Sequence, residues 1–509
     1  MYKRTLRNIW ILLLVVAMTV SCKNFLSRKP LDQPSAGNFW TSQRDVKMAL
    51  TGCYNWLDQG GAGFGAYSMQ WATLSDNAWN RSNSNQFQVV AKGEIQPTTG
   101  GIIYNAYHHY YQAIATANNF IANANKNKIQ DISQSQMTNY IAQVHFLRAY
   151  WYFRLSELYG GVPLILKPVS YSNINKAKVA RSSKSKVIAQ VIKDLNFAIA
   201  HLPDKPYAGH VVKGSALGLK ARVLLYNGDY QGAAQAAEKV INSGTFHLAK
   251  SYPGLFLKPS QNNNPEIMFS ARYQLPNMYS NLDYHYGWQQ WELVQPFQDL
   301  VNAYEMKNGK PINAPNSGYD PQHPYKNRDP RLRMTLIVPG DHWWYLNGTF
   351  EPSQDGVNQT GYLPRKYIDT TRAPFNYSTR SNQDWVILRY AEVLLDYAEA
   401  KNETAGPVPS VYKAIDEVRA RPDVNMPPLP KGLSKEQMRQ RIHRERRVEL
   451  ALEGQRYFDL KRWNEAQNVL SNVKDPGGNN RKFTKYNYLW PIPQQAMNKN
   501  PKLKQNPGY

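Results

Sequence analysis

Cysteine is almost absent from this chain: Cys22 and Cys53 are the only two in 509 residues. A disulfide framework is therefore excluded if Cys22 is used for anything else, and the fold must rest on its core. Long apolar runs are just as scarce. The stretch from Trp10 to Val20 (WILLLVVAMTV) is shorter than the roughly 20 residues a spanning helix requires, and no second run is long enough to cross a bilayer. Acidic residues are few as well, 37 against 61 Lys and Arg, for a net charge of +24. The basic excess is spread along the chain, with one dense patch at Arg439–Arg447, and no paired zinc ligands or ribonucleoprotein motif accompany it; nucleic acid is not an expected partner. An anionic ligand or a generally solvated basic exterior both fit the charge.

Catalytic signatures are missing too. There is no H-E-x-x-H, no phosphate-cradling G-x-x-x-x-G-K-S/T, no G-x-S-x-G elbow and no CxxC. His108 and His109 are adjacent, so on a helix they point in different directions and do not form a metal site by themselves. No cofactor and no metal ion are expected. A glycosidase needs only two carboxylates at a separation that sequence does not display, so that alternative stays open without support.

What is present begins at the N-terminus. Lys3, Arg4 and Arg7 form a basic n-region ahead of the Trp10–Val20 h-region, and Thr19-Val20-Ser21-Cys22 resembles a bacterial lipobox with threonine in place of the usual leucine. Residues 1–21 are read as a signal segment and Cys22 as the lipidated residue that tethers an otherwise soluble chain.

Helical patterns dominate the rest. Ser42 with Asp45, and Ser434 with Gln437, are capping boxes, the second opening a helix expected to reach Glu453. Cys53 sits in the apolar stripe that follows the first and reads as a small core residue. A long helix over 133–159 stops at Gly160-Gly161 and Pro163; others are expected over 106–124, 186–202, 385–402 and 411–421. Two alanine-rich helices within 215–242, joined by Asn227-Gly228-Asp229, look like a tetratricopeptide unit. Residues 243–383 differ: rich in Asn, Pro, Gly, Tyr and Trp, they read as long loops with short strands, the kind of surface a rigid scaffold presents for recognition. The expected fold class is mainly α, with tetratricopeptide-like helix pairs supporting an irregular, loop-rich lobe. The expected divisions are 1–21, 22–242, 243–383 and 384–509, forming one compact unit with an extended, non-helical tail broken by Pro491, Pro493, Pro501 and Pro507.

An ordered set of phrases carries a family resemblance along the chain from Cys22 to Tyr509. It includes Asn38-Phe39-Trp40, Phe146-Leu147-Arg148-Ala149 with Tyr159-Gly160-Gly161-Val162-Pro163, and Asn327-Arg328-Asp329-Pro330-Arg331. Leu388-Arg389-Tyr390-Ala391-Glu392, Glu445-Arg446-Arg447-Val448-Glu449-Leu450, Gly454 to Trp463, and Leu489-Trp490-Pro491-Ile492-Pro493 complete it. The chain resembles the SusD/RagB family of Bacteroidetes outer-membrane lipoproteins. The resemblance implies four tetratricopeptide-like helix pairs and a non-catalytic role: capture of glycan at the cell surface beside a SusC-like TonB-dependent transporter. Exported members often carry acidic residues after the lipidated cysteine, whereas Lys23-Asn24-Phe25 stand here, which leaves both faces of the outer membrane open. Arg446, Arg447, Arg456 and Arg462, interleaved with Glu445, Glu449, Glu453 and Asp459, read as helix-to-helix ion pairs.

Sugars offer flat apolar faces edged by hydroxyls, so aromatic platforms beside amides, carboxylates or guanidiniums are the candidate sites. Three clusters qualify: Trp71 to Arg81, a stretch whose counterparts the resemblance places at the glycan site; Tyr284 to Trp291; and Trp343-Trp344-Tyr345. The expected ligand contacts are stacking by Trp79, Trp288 and Trp343 and hydrogen bonding by Asp76 and Arg81. In the third cluster one face should be exposed, because consecutive residues of an extended segment point to opposite sides. A helical-repeat scaffold that binds only protein is the competing reading, and the aromatic loop zone is what separates the two.

Overall fold

The computed structural model describes Tyr2 and residues 39–58, 68–126, 129–344 and 348–509. The rest of residues 1–21, read above as a signal segment, Cys22 with its Lys23-Asn24-Phe25 sequel, Asn38 and Tyr345 lie outside the described residues.

Among the described residues, nine helices of eleven or more residues build the body: α1 (Gln43–Asn55), α2 (Ile102–Lys126), α3 (Gln134–Tyr159), α4 (Lys184–His201), α5 (Lys213–Tyr226), α6 (Tyr230–Ser243), α7 (Tyr390–Ala405), α8 (Pro409–Arg419) and α9 (Lys435–Glu449). Ser42, Ser133 and Ser434 each close a reciprocal capping box, so three of these starts are written in four residues apiece. The helices pack in sequence order, α2 on α3, α3 on α4, α4 on α5, α5 on α6, and α6 on α7. α3 lies at the centre and is buried on all sides from Ile141 onward except at His145. Its Arg148 explains the Phe-Leu-Arg-Ala phrase: Nε and Nη2 donate to the two Asp194 oxygens of α4 (2.8 and 2.7 Å), and Nη1 donates to Asn118 Oδ1 of α2 (2.9 Å). One guanidinium thus ties three helices. α3 ends at Gly160, whose φ of +72° would strain any residue with a Cβ.

The alanine-rich pair is α5 and α6, with Asp229 capping α6 through Gly232 N–H (2.8 Å). Ala233, Ala234, Ala236 and Ala237 are buried, and small side chains there let α6 approach α5 and α7 closely.

Three expectations are corrected. The helix expected over 385–402 is divided: β8 (Trp385–Arg389) pairs antiparallel with β2 (Ile267–Ala271), and α7 starts only at Tyr390. The run Trp-Val-Ile-Leu is buried on both faces, where aromatic and β-branched residues suit a strand. α9 stops at Glu449 instead of Glu453, and the chain turns through Leu452 and Gly454, both at positive φ. The C-terminal tail is not wholly extended, since Gln494–Lys499 forms a short helix that begins directly after Pro493. Around it the tail is a strap: Trp490 stacks on Trp71 (5.8 Å between centroids, 6° between planes), and Asn506 Nδ2 donates to the carbonyls of Tyr159 and Trp490 (3.0 and 2.7 Å).

The C-terminal half is held by buried charge. Glu449 Oε1 accepts from Arg389 Nη1 (2.7 Å) and Arg421 Nη2 (2.9 Å), and Oε2 accepts from Arg331 Nη1 (2.9 Å). Glu266, Glu445 and Glu453 supply the remaining partners of those arginines, with Asp329 on Arg331. Arg446 joins Asp396 and Asp459, and Arg462 joins Glu399 and Asp459. The interleaved pattern of the sequence is therefore an ionic core.

Besides the five-residue β2, the residues between 243 and 383 carry two-residue and three-residue strands: β3 (Val294–Pro296) pairs with β1 (Ala78–Asn80), β4 (Leu336–Ile337) with β7 (Leu363–Pro364), and β5 (His342–Trp343) with β6 (Gly348–Thr349). Among the described residues no helix is long and apolar enough to cross a membrane.

Candidate functional site

The β1–β3 ladder brings together two stretches that the sequence keeps far apart. Trp79 faces Gln295, and beyond the end of β1 Arg81 Nη1 donates to the carbonyls of Gln290 and Trp291 (2.5 and 3.1 Å). Arg81 thus fixes the Trp288–Trp291 turn.

That turn carries an aromatic platform. Tyr377, 63 % exposed, stands at its centre. The Trp288 ring lies 5.0 Å from it at 90°, the Trp291 ring 6.2 Å away at 85°, and the Tyr284 ring 6.2 Å away at 60°. Edge-to-face contacts of this kind keep ring faces from covering one another. Tyr284, Trp288 and Trp291 are half-buried, with Gln290 exposed beside them.

The supports are polar and buried. Asp283, on the short helix Leu282–Gly287, accepts from Ser381 Oγ (2.9 Å), Gln383 Nε2 (2.7 Å) and Asp369 N–H (2.8 Å), and its own N–H donates to Ser381 Oγ (2.9 Å). Burial outweighs these bonds and pushes its carboxyl up to about 6. Ser280 and Ser381 exchange backbone hydrogen bonds (2.8 and 3.0 Å), so the segment bearing Tyr377 is pinned to the segment bearing Tyr284. His285 is pushed down to about 4 by burial and is a neutral ring at neutral pH.

A cleft of about 680 Å³ reaches the same pinned segment, and none of the four platform rings lines it. Asn382 lines it immediately after Ser381, and Gln274 and Met278, which pair as a tight hairpin, line it from the other side. Tyr54, His210 and Arg272 add a phenol, an imidazole and a guanidinium, and Asp58, raised by burial, is the one carboxylate among its lining residues. Rings edged by amides and one guanidinium can stack a sugar and bond its hydroxyls. A two-carboxylate hydrolytic pair is not among the cleft's lining residues.

The five expected contacts separate on inspection. Trp288 is in the platform and Arg81 braces it. Asp76 is 2 % exposed: Arg456 donates to both of its oxygens (2.9 and 3.0 Å) and Arg447 approaches one of them at 3.0 Å. Burial works to raise this carboxyl, but the two guanidiniums outweigh it and hold it well below the usual carboxylate range. Its bonding capacity is spent on clamping the Trp71–Arg81 stretch to α9 and the segment after it. Trp79 is 7 % exposed, and it borders a separate pocket of about 390 Å³ with Lys92 and Asp475. Trp343 is fully buried against Phe350 (5.3 Å), and Trp344 is buried too, donating from Nε1 to Gly287 O (2.8 Å). The expectation of an exposed face at 343–344 is corrected because Phe350 packs on Trp343 while Gly287 of the platform helix and the Phe375 ring pack on Trp344. Tyr377 was not among the expected residues; Phe375 stands two positions before it, but no Trp or acidic residue lies beside them to mark the stretch.

Comparison with known proteins gives a consistent result. Residues 256–509 match the sequence model of a family described as the SusD family, and residues 24–225 match one described as starch-binding and associating with the outer membrane. A SusD-like protein of Formosa agariphila is 26 % identical over 522 residues, covering 98 % of this chain and 98 % of the relative. Among solved structures, a SusD-like carbohydrate-binding protein from Bacteroides fragilis superposes with a TM-score of 0.82 at 28 % identity, covering 92 % of this chain and 100 % of that one. A second SusD-like protein from the same organism gives 0.80 at 26 % identity, with 95 % and 100 % covered.

Proposed function

The chain belongs to the SusD family, a family of carbohydrate-binding proteins, and on that premise we propose that it captures an oligo- or polysaccharide at the cell surface without cleaving it and passes it to a SusC-like TonB-dependent transporter. The observation that carries this reading is the exposed Tyr377 ring set edge-on to Trp288 and Trp291. A pyranose stacks there, and the amides and guanidinium of the neighbouring cleft take hydroxyls of the next sugar along. Trp288 and Tyr377 stack; Arg81 positions their turn; Asp76 and Trp343 hold the scaffold behind it. Trp79 borders only the separate pocket with Lys92 and Asp475. Attachment is through lipid on Cys22 in the outer membrane, with the platform facing the exterior, in keeping with the outer-membrane association in the family description.

The test is affinity electrophoresis and calorimetry of residues 23–509 over a panel of neutral and acidic glycans, with product analysis. At least one glycan should bind and be recovered intact. Trp288→Ala and Tyr377→Ala should each weaken that binding about three- to tenfold, the worth of one aromatic contact, while the melting temperature moves by only a few degrees. Uniform absence of binding would favour a protein-binding scaffold, and released products would favour an enzyme.

A further inference from the structure

Residues 95–130, 158–193 and 476–509 contain no Asp or Glu. The fold brings these three acid-free stretches together. Tyr111 of α2 donates to Pro163 O (2.8 Å), Arg181 donates to Lys504 O and Asn506 Oδ1 (2.7 and 2.6 Å), and Asn500 Nδ2 donates to Val179 O (2.9 Å).

Where they meet lies a cleft of about 200 Å³, walled by Tyr104, Tyr107, His108 and Tyr111 of α2 and by Lys499 and Leu503 of the strap. None of its lining residues belongs to the platform or to the larger cleft beside it. The Tyr104 and His108 rings lie parallel, 5.3 Å apart at 12°, and both are half-buried. Burial and the Lys499 ammonium together hold His108 below its ordinary value, so at neutral pH it presents a flat neutral ring. One lysine lines the cleft and four more adjoin its lining residues in sequence. Lys499 is exposed in the wall itself, Lys176 and Lys178 flank the lining residue Ala177, and the exposed Lys502 and Lys504 flank Leu503. With no Asp or Glu side chain in any of the three stretches, Lys499 and its basic neighbours give this face an excess of positive charge that attracts an anion.

We propose that this cleft is a second saccharide site, selective for a sugar ring bearing a carboxylate or a sulfate ester. Its volume, below the roughly 300–1,000 Å³ typical of drug-sized pockets, suits one ring and not an extended chain. The ring lies against the tyrosines, its anionic substituent meets Lys499, and Gln495 at the mouth reaches hydroxyls. The site accounts for part of the +24 charge and is independent of the platform: each can fail without the other.

The competing occupant is an anionic lipid surface, because Leu166, Val169 and Ile174 are exposed on the loop between Ile165 and Ala177. The experiment uses residues 23–509 carrying Tyr377→Ala, so that the platform is weakened, titrated with polygalacturonate, alginate and a sulfated galactan at low and at physiological salt, and with phosphatidylglycerol vesicles. At least one acidic polysaccharide should still bind, more weakly as salt rises. Adding Lys499→Glu or Tyr104→Ala should weaken it by about tenfold or more, the scale of one charge-assisted contact. In an otherwise native platform, Lys499→Glu should leave neutral-glycan binding unchanged. Lys499 is exposed, so this variant should fold even if Tyr104→Ala does not. The proposal is overturned if no acidic polysaccharide binds the Tyr377→Ala protein, if Lys499→Glu binds as tightly as its parent, or if vesicles alone show the Lys499 dependence.

Discussion

Replacing Glu449 by Gln is the sharpest test of the buried ionic core. Glu449 is fully buried, and its carboxylate serves three arginines, Arg389, Arg421 and Arg331. An amide of the same shape keeps one acceptor oxygen for Arg389 and Arg421, but it turns an N–H₂ toward the Arg331 guanidinium, donor against donor. It also removes one negative charge from among three positive ones. None of the arginines is orphaned: Arg389 retains Glu266 and Glu453, Arg421 retains Glu266, and Arg331 retains Asp329 and Glu445. The loss should therefore fall at the low end of the range for breaking a buried pair, about 3 kcal/mol. Against a total of about 5–15 kcal/mol this is a large fraction. Urea unfolding followed by tryptophan fluorescence should show a lower midpoint at unchanged slope. The matched control is Glu436→Gln, which removes a surface partner of Arg439 and should cost about 0.5 kcal/mol or less. A Glu449→Gln loss no larger than that of the control would refute the view that this cluster holds the C-terminal half.

Acid should unfold the protein by the same route. Burial alone would raise the Glu399 carboxyl, but Arg462 and Arg446 outweigh it and hold it down at about 2. Between an unfolded value near 4.5 and that folded value, the unfolded chain takes up a proton that the native state does not. Stability present above about pH 4.5 is thus lost as pH falls toward about 2, on the order of 3 kcal/mol from this one group, and Asp459 shifts in the same direction. A melting temperature that stays flat from about pH 5 to about pH 3 would contradict this. Cys53 gives a third expectation: burial pushes its thiol up to about 12, so native residues 23–509 should resist alkylation at neutral pH and react fully once unfolded. Rapid labelling of the folded protein would count against the packing of α1.

What was legible in the sequence was mostly local. Two capping boxes, the Asn227-Gly228-Asp229 turn and the Gly160 stop each act within a few residues, and each stands where its pattern puts it. The division of 385–402 was not legible, because Trp-Val-Ile-Leu-Arg runs straight into a helical pattern and only pairing with β2 marks the first five residues as a strand. The site was harder for the same reason. A carboxylate among tryptophans looks alike whether it meets a sugar or an arginine, and the arginines that claim Asp76 lie far along the chain, Arg456 being 380 residues away. Trp343 and Trp344 alternate as an extended segment should, but cover on both sides cancels the exposure that alternation implies. Tyr377 becomes part of a platform only when Ser381 is pinned to Ser280.

The C-terminal strap bears on when this protein can finish folding. Trp71, near the start of the described chain, is completed by Trp490, and Tyr159 at the end of the central helix is completed by Asn506. The helices made first therefore keep open places that only the last twenty residues fill, so a nascent or partly translocated chain has no finished core to collapse into. A lock delivered by the final residues sets the shape of the helices made before it only once the whole length has arrived.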